Sequence, residues 1–241
     1  MKRTVNVDLL AITFAMFMAA SYCVGAQAQE IQMGIDCPSM EGYGPFDYRA
    51  ISESTRVLVE GAHFTPDVEH LIHGKHSYIG GDIDYTLRAF PNSPRALMAM
   101  MRLFDQQKGG GIPDGAKPLH CYFENALIFK PNDGTVHLLY GMFLLKKKDQ
   151  DKAIEQFEKA ATLSENDPNI YYNLGLAYFG MQKYDLALTN AHKAYAEGFP
   201  LPGLRDMLKR VGQWKDAPPP VAEASAPQAS PAPTAESATA K

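Results

Sequence analysis

Histidine and cysteine are the side chains through which this chain could do chemistry. His63, His70, His73 and His76 crowd one short stretch. Thr65-Pro66-Asp67 predicts the start of a short helix and Gly74 its end. His70 and His73 are then three apart on one face, where two imidazoles could reach one metal ion. No carboxylate or cysteine stands at a spacing that completes the set, and histidines in a last helical turn are favoured by the helix dipole with no metal present. His120 and Cys121 are adjacent. Neighbours on a helix point about 100° apart, so a Cys–His dyad is not expected of them.

Other chemical signatures are weaker. Asp82-x-Asp84 has the form of the metal-binding pair of some glycosyltransferases, but acidic residues are expected at a helix start for capping reasons alone, and Asp82 is read as the cap of a helix over 82–90. Gly109-Gly110-Gly111 lacks the following Lys-Ser/Thr of a phosphate loop. Neither G-x-S-x-G nor H-E-x-x-H occurs. No catalytic residue and no cofactor are therefore expected.

The ends of the chain bound where it works. Lys2 and Arg3 precede an apolar run over 9–20 that is too short to anchor in a bilayer, and Ala26-Gln27-Ala28 follows with the small-x-small pattern of a cleavage site. Residues 1–28 are read as a signal peptide cut after Ala28, giving a periplasmic or secreted protein. Tyr22 before Cys23 speaks against a lipid anchor there, because lipidation wants a small residue at that place. Cleavage removes Lys2, Arg3 and Asp8 and moves the net charge from −4 to −5. Such mild acidity gives no reason to expect nucleic-acid binding. Two cysteines survive, Cys37 and Cys121, and an even count in an exported chain points to a disulfide over two free buried thiols. Closing that loop should stabilise the fold by roughly 4 kcal/mol. Residues 217–241 are almost all Ala, Pro, Ser, Thr and Glu, and are read as a disordered tail.

Between these ends the positioning framework is a repeat. Gly141 and Gly175 are 34 residues apart, as are Ala153 and Ala187, and Ala126, Ala160 and Ala194 continue the series. Tyr171-x2-Leu174-Gly175-x2-Tyr178 reads as the first helix of the last unit, and His137-x2-Tyr140-Gly141-x2-Leu144 as that of the unit before. A third unit, with its first helix over 94–104 and its second around Leu119, Phe123 and Ala126, is split by a loop insertion over 105–117. Leu204, Met207, Leu208 and Val211 form the stripe of a C-terminal capping helix.

The chain therefore resembles the tetratricopeptide repeat (TPR) proteins over residues 82–214, and the stretches 81–91 and 198–204 are similar to those of uncharacterised exported bacterial members. The resemblance implies an all-α, short solenoid of helical hairpins, about three repeats long, preceded by a segment over 29–81 with a short helix. It also implies scaffolding and recognition of a protein or peptide partner on the concave face. On that face Leu138 should neighbour Tyr172, Met142 should neighbour Leu176, and Leu145 should neighbour Phe179, with Met98 and Arg102 extending the row. Asn173 is the only match to the polar set by which some family members clamp a terminal carboxylate, so apolar contacts should grip the ligand. Residues 29–79 could instead fold back and fill the strip. The alternative function is a metal-binding or enzymatic one centred on 63–76. N-terminal sequencing of the protein recovered from the envelope should begin at Gln29; a chain that retains residues 1–28 overturns the export reading.

Overall fold

The computed structural model of the chain describes Cys37 and residues 41–216. The expected signal peptide, Cys23 and the tail over 217–241 lie outside the described residues. The described part is helical: α1 (Glu53–His63), α2 (Pro66–Glu69), α3 (Ile79–Ala89), α4 (Pro94–Gln106), α5 (Leu119–Phe129), α6 (Gly134–Lys146), α7 (Gln150–Leu163), α8 (Pro168–Gly180), α9 (Tyr184–Ala196) and α10 (Gly203–Arg210), with no strand among the described residues.

Local chemistry sets most of the boundaries. Asp133 accepts from the amides of Thr135 and Val136 at the start of α6, and Asp167 from that of Asn169 at the start of α8. These two caps are 34 residues apart. Ser93 caps α4 by accepting from Ala96 N, and Pro94 and Pro168 occupy first-turn positions that need no donor. Both intact hairpins turn through one left-handed residue, Lys148 at φ 65 and Gln182 at φ 59, again one repeat apart. Asp149 then caps α7 through Lys152 N.

α6 and α8 meet their neighbouring helices where they carry almost no side chain. A Cβ on Gly141 would lie 2.5 Å from the Phe157 ring, and one on Gly175 would lie 2.3 Å from Leu204 Cδ2. Ala153, Ala160, Ala187 and Ala194 are fully buried at the matching positions of α7 and α9. One continuous core runs from Phe64 and Val68 through Ile83, Leu97, Phe123 and Phe157 to Tyr171 and Ala194. A smaller distal cluster joins Ala187 and Ala191 to Leu204 and Leu208 of the capping helix.

The N-terminal segment departs from the expected single short helix. It supplies α1, which the sequence pattern did not announce, and α2 ends at Glu69, so only four residues of the expected 66–74 stretch are helical. α3 begins at Ile79, with Tyr78 as its cap residue, so Asp82 is not a cap. Arg95 of α4 clamps both new helices, with Nε 2.9 Å from Glu69 Oε1 and Nη1 3.4 Å from Glu60 Oε1, and its guanidinium lies over the Phe64 ring.

Replacing Gly141 by Ala should destabilise the fold by about 1–3 kcal/mol, because the rigid, fully buried Phe157 ring has nowhere to go. Gly175→Ala should cost less, since the tip of Leu204 can turn aside. Urea denaturation of the two variants checks the order.

Candidate functional site

The row of first helices is the surface that the repeat presents. Met98 on α4 is 44% exposed, while Met142 and Leu145 on α6 are half-buried. Leu138 does not belong to the surface: at 7% exposure it is a core residue beside Val136 and Leu139. On α8 the strip is partly covered, and among the described residues the cover comes from the C-terminal end. Tyr172 stacks on Phe199, centroids 4.0 Å apart. Leu176 and Phe179 pack against the distal cluster with Leu204 and Leu208, and Phe179 meets the Tyr184 ring edge-on. Asn173 donates to Asn169 O of its own helix. Arg102 is exposed, but its Nη2 donates to Glu69 O at the end of α2.

Residues 41–51 of the N-terminal segment run along the loops that join successive pairs. Phe46 N donates to Ala89 O and Tyr48 N to Asn92 Oδ1. Asn92, fully buried, donates from Nδ2 to Asp47 Oδ1 at 2.8 Å and to Asp133 Oδ2 at 3.0 Å. Arg49 pairs with Asp133 and Lys130 with Asp47. The hydrogen bond from Lys130, and then that from Asn92, holds the Asp47 carboxyl down at about 2. Asp133 thus caps α6 with one oxygen and receives this strap with the other.

The histidine segment does not assemble into one site. His63 Nδ1 lies 3.0 Å from Asp82 Oδ1, and its ring stacks on Tyr85. His70 Nδ1 bonds Pro66 O, and His73 pairs with Asp67 through Nε2 at 3.1 Å. His70, His73 and His76 are exposed. The two aspartates of the Asp82-x-Asp84 pair are also separately employed. Asp82 Oδ2 accepts from the amides of Lys75 and His76, at 2.6 and 3.1 Å, and so ties down the loop ahead of α3. Asp84 accepts from Lys117 Nζ, Tyr122 Oη and Arg88 Nε, at 2.9, 2.8 and 3.0 Å, and anchors the end of the insertion to α3. Burial, and then the Asp84 charge, pushes the Tyr122 phenol up, so it stays a donor.

The cysteines do converge. Cys37 and Cys121 are joined as a disulfide, with Cα atoms 5.3 Å apart. His120 Nε2 lies 3.5 Å from Cys121 Sγ. The two adjacent side chains meet because Cys121 sits in the first turn of α5 and the imidazole reaches back to its sulfur. The rule that helical neighbours diverge fails here, since a ring nitrogen extends well beyond Cβ. Glu124 Oε2 lies 3.2 Å from Cys37 Sγ. Burial pushes the Glu124 carboxyl up, and the charge of His120 works against that. His120 also forms part of the wall of a cleft of about 340 Å³ with Phe104, Ile112, Leu119, Phe143 and Lys146. The sequence offers His120 only as the neighbour of Cys121, a pairing not expected of it, and it does not single out Glu124; the i, i+4 relation of His120 and Glu124 on α5 is the signal of a shared face.

A family model described as TPR repeat matches residues 143–182, which run from within α6 through α7 and α8 to the turn before α9. No curated protein matches the chain.

Asp82 carries a prediction on acid stability. Burial alone would raise its carboxyl, but the hydrogen bonds from His63 and from the amides of His76, Lys75 and Ser77 outweigh burial and lower it. A carboxyl lowered in the folded state contributes stability that is present above its unfolded value of about 3.9 and is lost as the pH falls through the folded value. Wild-type stability should therefore drop below about pH 4. Asp82→Asn should be less stable at neutral pH and lose less on acidification. Chemical denaturation at pH 6 and pH 3 measures both slopes, and parallel losses would refute the assignment.

Proposed function

This chain carries tetratricopeptide repeats, and we propose that it is an exported adaptor that holds a peptide segment of a protein partner against the first helices of its repeats. Met98, Met142 and Leu145 carry the reading: they are apolar side chains left exposed or half-buried on the first helices of successive units, in a row that the repeat itself generates. Enclosing a fully exposed Met or Leu side chain in an interface is worth about 1.5–3 kcal/mol, so these positions contribute to a grip that also needs the adjoining cleft. Phe104, Phe143 and Ile112 in the adjoining cleft extend the apolar surface, and Lys146 and Lys147 at its rim suit a partner segment with acidic residues beside its apolar ones. Lys146 is already paired with Asp105, so a partner carboxylate would replace an existing salt bridge there. The expected export route places the partner in the periplasm or outside the cell.

Selection of a displayed peptide library on the purified chain tests the reading. Peptides with spaced apolar residues should be enriched. Their binding should fall at least tenfold on Met142→Glu and on Leu145→Glu, and stay unchanged on Glu155→Ala, an exposed position of α7. The first two variants should keep their folds, with losses of about 1 kcal/mol. Enrichment that ignores these substitutions would remove the groove from the function.

A further inference from the structure

Cys37, Cys121 and His120 place their ligand atoms within 4.8 Å of one another, and Glu124 adds a carboxylate oxygen 3.2 Å from Cys37 Sγ. We propose that these four residues, with the disulfide opened, form a binding site for a borderline-soft divalent cation of the zinc class. The inference does not depend on the peptide groove.

The donor set is the first argument. Two thiolates, one imidazole and one carboxylate are the ligands that tetrahedral zinc takes. Spacing is the second. Zn–S of about 2.3 Å and Zn–N of about 2.0–2.1 Å give tetrahedral edges of about 3.4–3.8 Å. The His120 Nε2–Cys121 Sγ separation is 3.5 Å, and the Cys37 Sγ–Glu124 Oε2 separation of 3.2 Å is close to that range. Two opposite edges of the tetrahedron are thus close to their final length while the sulfurs are bonded; opening the bond lengthens the sulfur–sulfur edge, and Glu124 turns inward from Cys37 to complete the set. Position is the third. Cys121, His120 and Glu124 lie within the first two turns of one helix, α5, so a rigid element holds three of the four ligands. Cys37 arrives on the N-terminal segment, and Glu124 and His120 are half-buried, so the cation is shielded without being sealed in.

The same geometry makes the disulfide exchangeable. Cys121 is fully buried and Cys37 partly exposed, so the thiolate of an external dithiol attacks Cys37 Sγ. The Cys37–Cys121 bond breaks and Cys121 leaves as a thiolate, stabilised by the N-terminal end of α5. The second thiol of the reagent then attacks the mixed disulfide and frees Cys37. Two electrons pass from the dithiol to the protein, and the reagent is left as its own disulfide. Binding the cation to the two thiols and the neutral imidazole releases the remaining thiol protons to solvent. Disulfide and metal site are alternatives: a chain that meets the cation before an oxidant keeps its thiols, and oxidation expels the metal.

The test uses the full chain in a Cys23→Ser background, which leaves Cys37 and Cys121 as its only cysteines. The protein is reduced with a dithiol, freed of the reagent under anaerobic conditions and titrated with Co²⁺, then with Zn²⁺ in competition. Reduced protein should take up one Co²⁺ with a thiolate-to-metal charge-transfer band that Zn²⁺ abolishes, and the oxidised protein should show none. His120→Ala and Glu124→Gln leave the disulfide intact. Loss of an outer partner alone weakens a metal site by about 10–100-fold, so each should weaken binding by at least tenfold. Cys37→Ser should eliminate the band. Absence of binding by the reduced protein overturns the proposal, whether or not that protein stays helical. So does equal binding by the reduced and oxidised forms, or binding that His120→Ala leaves unchanged, which would mean that loose thiols hold the ion.

Discussion

The structure depends on two helices being able to touch backbone to side chain at one point per repeat. Gly141 opens that point for Phe157, and Gly175 opens it for Leu204. The buried alanines of α7 and α9 keep the second helices close along the rest of the crossing. A methyl group at Gly141 would push α6 off α7, and the displacement would be handed on to the next unit; one at Gly175 would meet the tip of Leu204 on the capping helix, which can turn aside. The close crossing also decides what is left over. With one side of each first helix spent on its partner and another on the next unit, the remaining side of α4 and α6 carries Met98, Met142 and Leu145.

Residues outside the repeat lock it from one edge. The strap over 41–51 does not enter the row of first helices; its hydrogen bonds and ion pairs run to Ala89, Asn92, Lys130 and Asp133, at the loops between units. Every buried side-chain polar atom among the described residues has a partner, which is how so many polar groups are tolerated at low exposure. Two consecutive inter-unit loops are thereby tied to one extended segment. The Cys37–Cys121 link ties the same segment to α5. The angle between the third-last and second-last units is therefore set by more than helix packing.

The parts of this arrangement that follow a period could be read from the sequence, and the parts made by tertiary encounter could not. The 34-residue series of Gly and Ala marks every pair, and Asp167-Pro168 marks the α8 start, because caps and crossings are local requirements that repeat. Asp82 looked like a cap for the same local reason. It is instead a buried acceptor for His63 and two loop amides, a role defined by residues up to nineteen positions away. α1 has no helical stripe to announce it: Val57, Leu58 and Val59 are consecutive, and of these only Val59 is buried. His120 was dismissed on backbone direction alone, and the length of the imidazole reversed the outcome. Leu138 was placed in the groove by counting from Tyr172, although the unit before the last has α8 on a side where the last unit has only the capping helix.

The capping helix decides how much of the last unit stays uncovered. α10 takes the place that the first helix of a further unit would occupy, with Leu204 against Gly175 and Leu208 beside it in the distal cluster. It draws Leu176 and Phe179 into that cluster, and Phe199 on the loop ahead of it covers Tyr172. The unit that matches the repeat pattern best is thus the one whose concave side is most used for closing the stack. Among the described residues the α4–α6 side has no such lid. The interruption between α4 and α5 moves the intervening chain outward and leaves a cleft floored by Phe104 and Phe143 where an unbroken unit would have a tight turn. The insertion therefore enlarges the accessible apolar surface at a unit that the C-terminal cap does not cover, and the proposed peptide groove rests on that unit rather than on the most regular repeat.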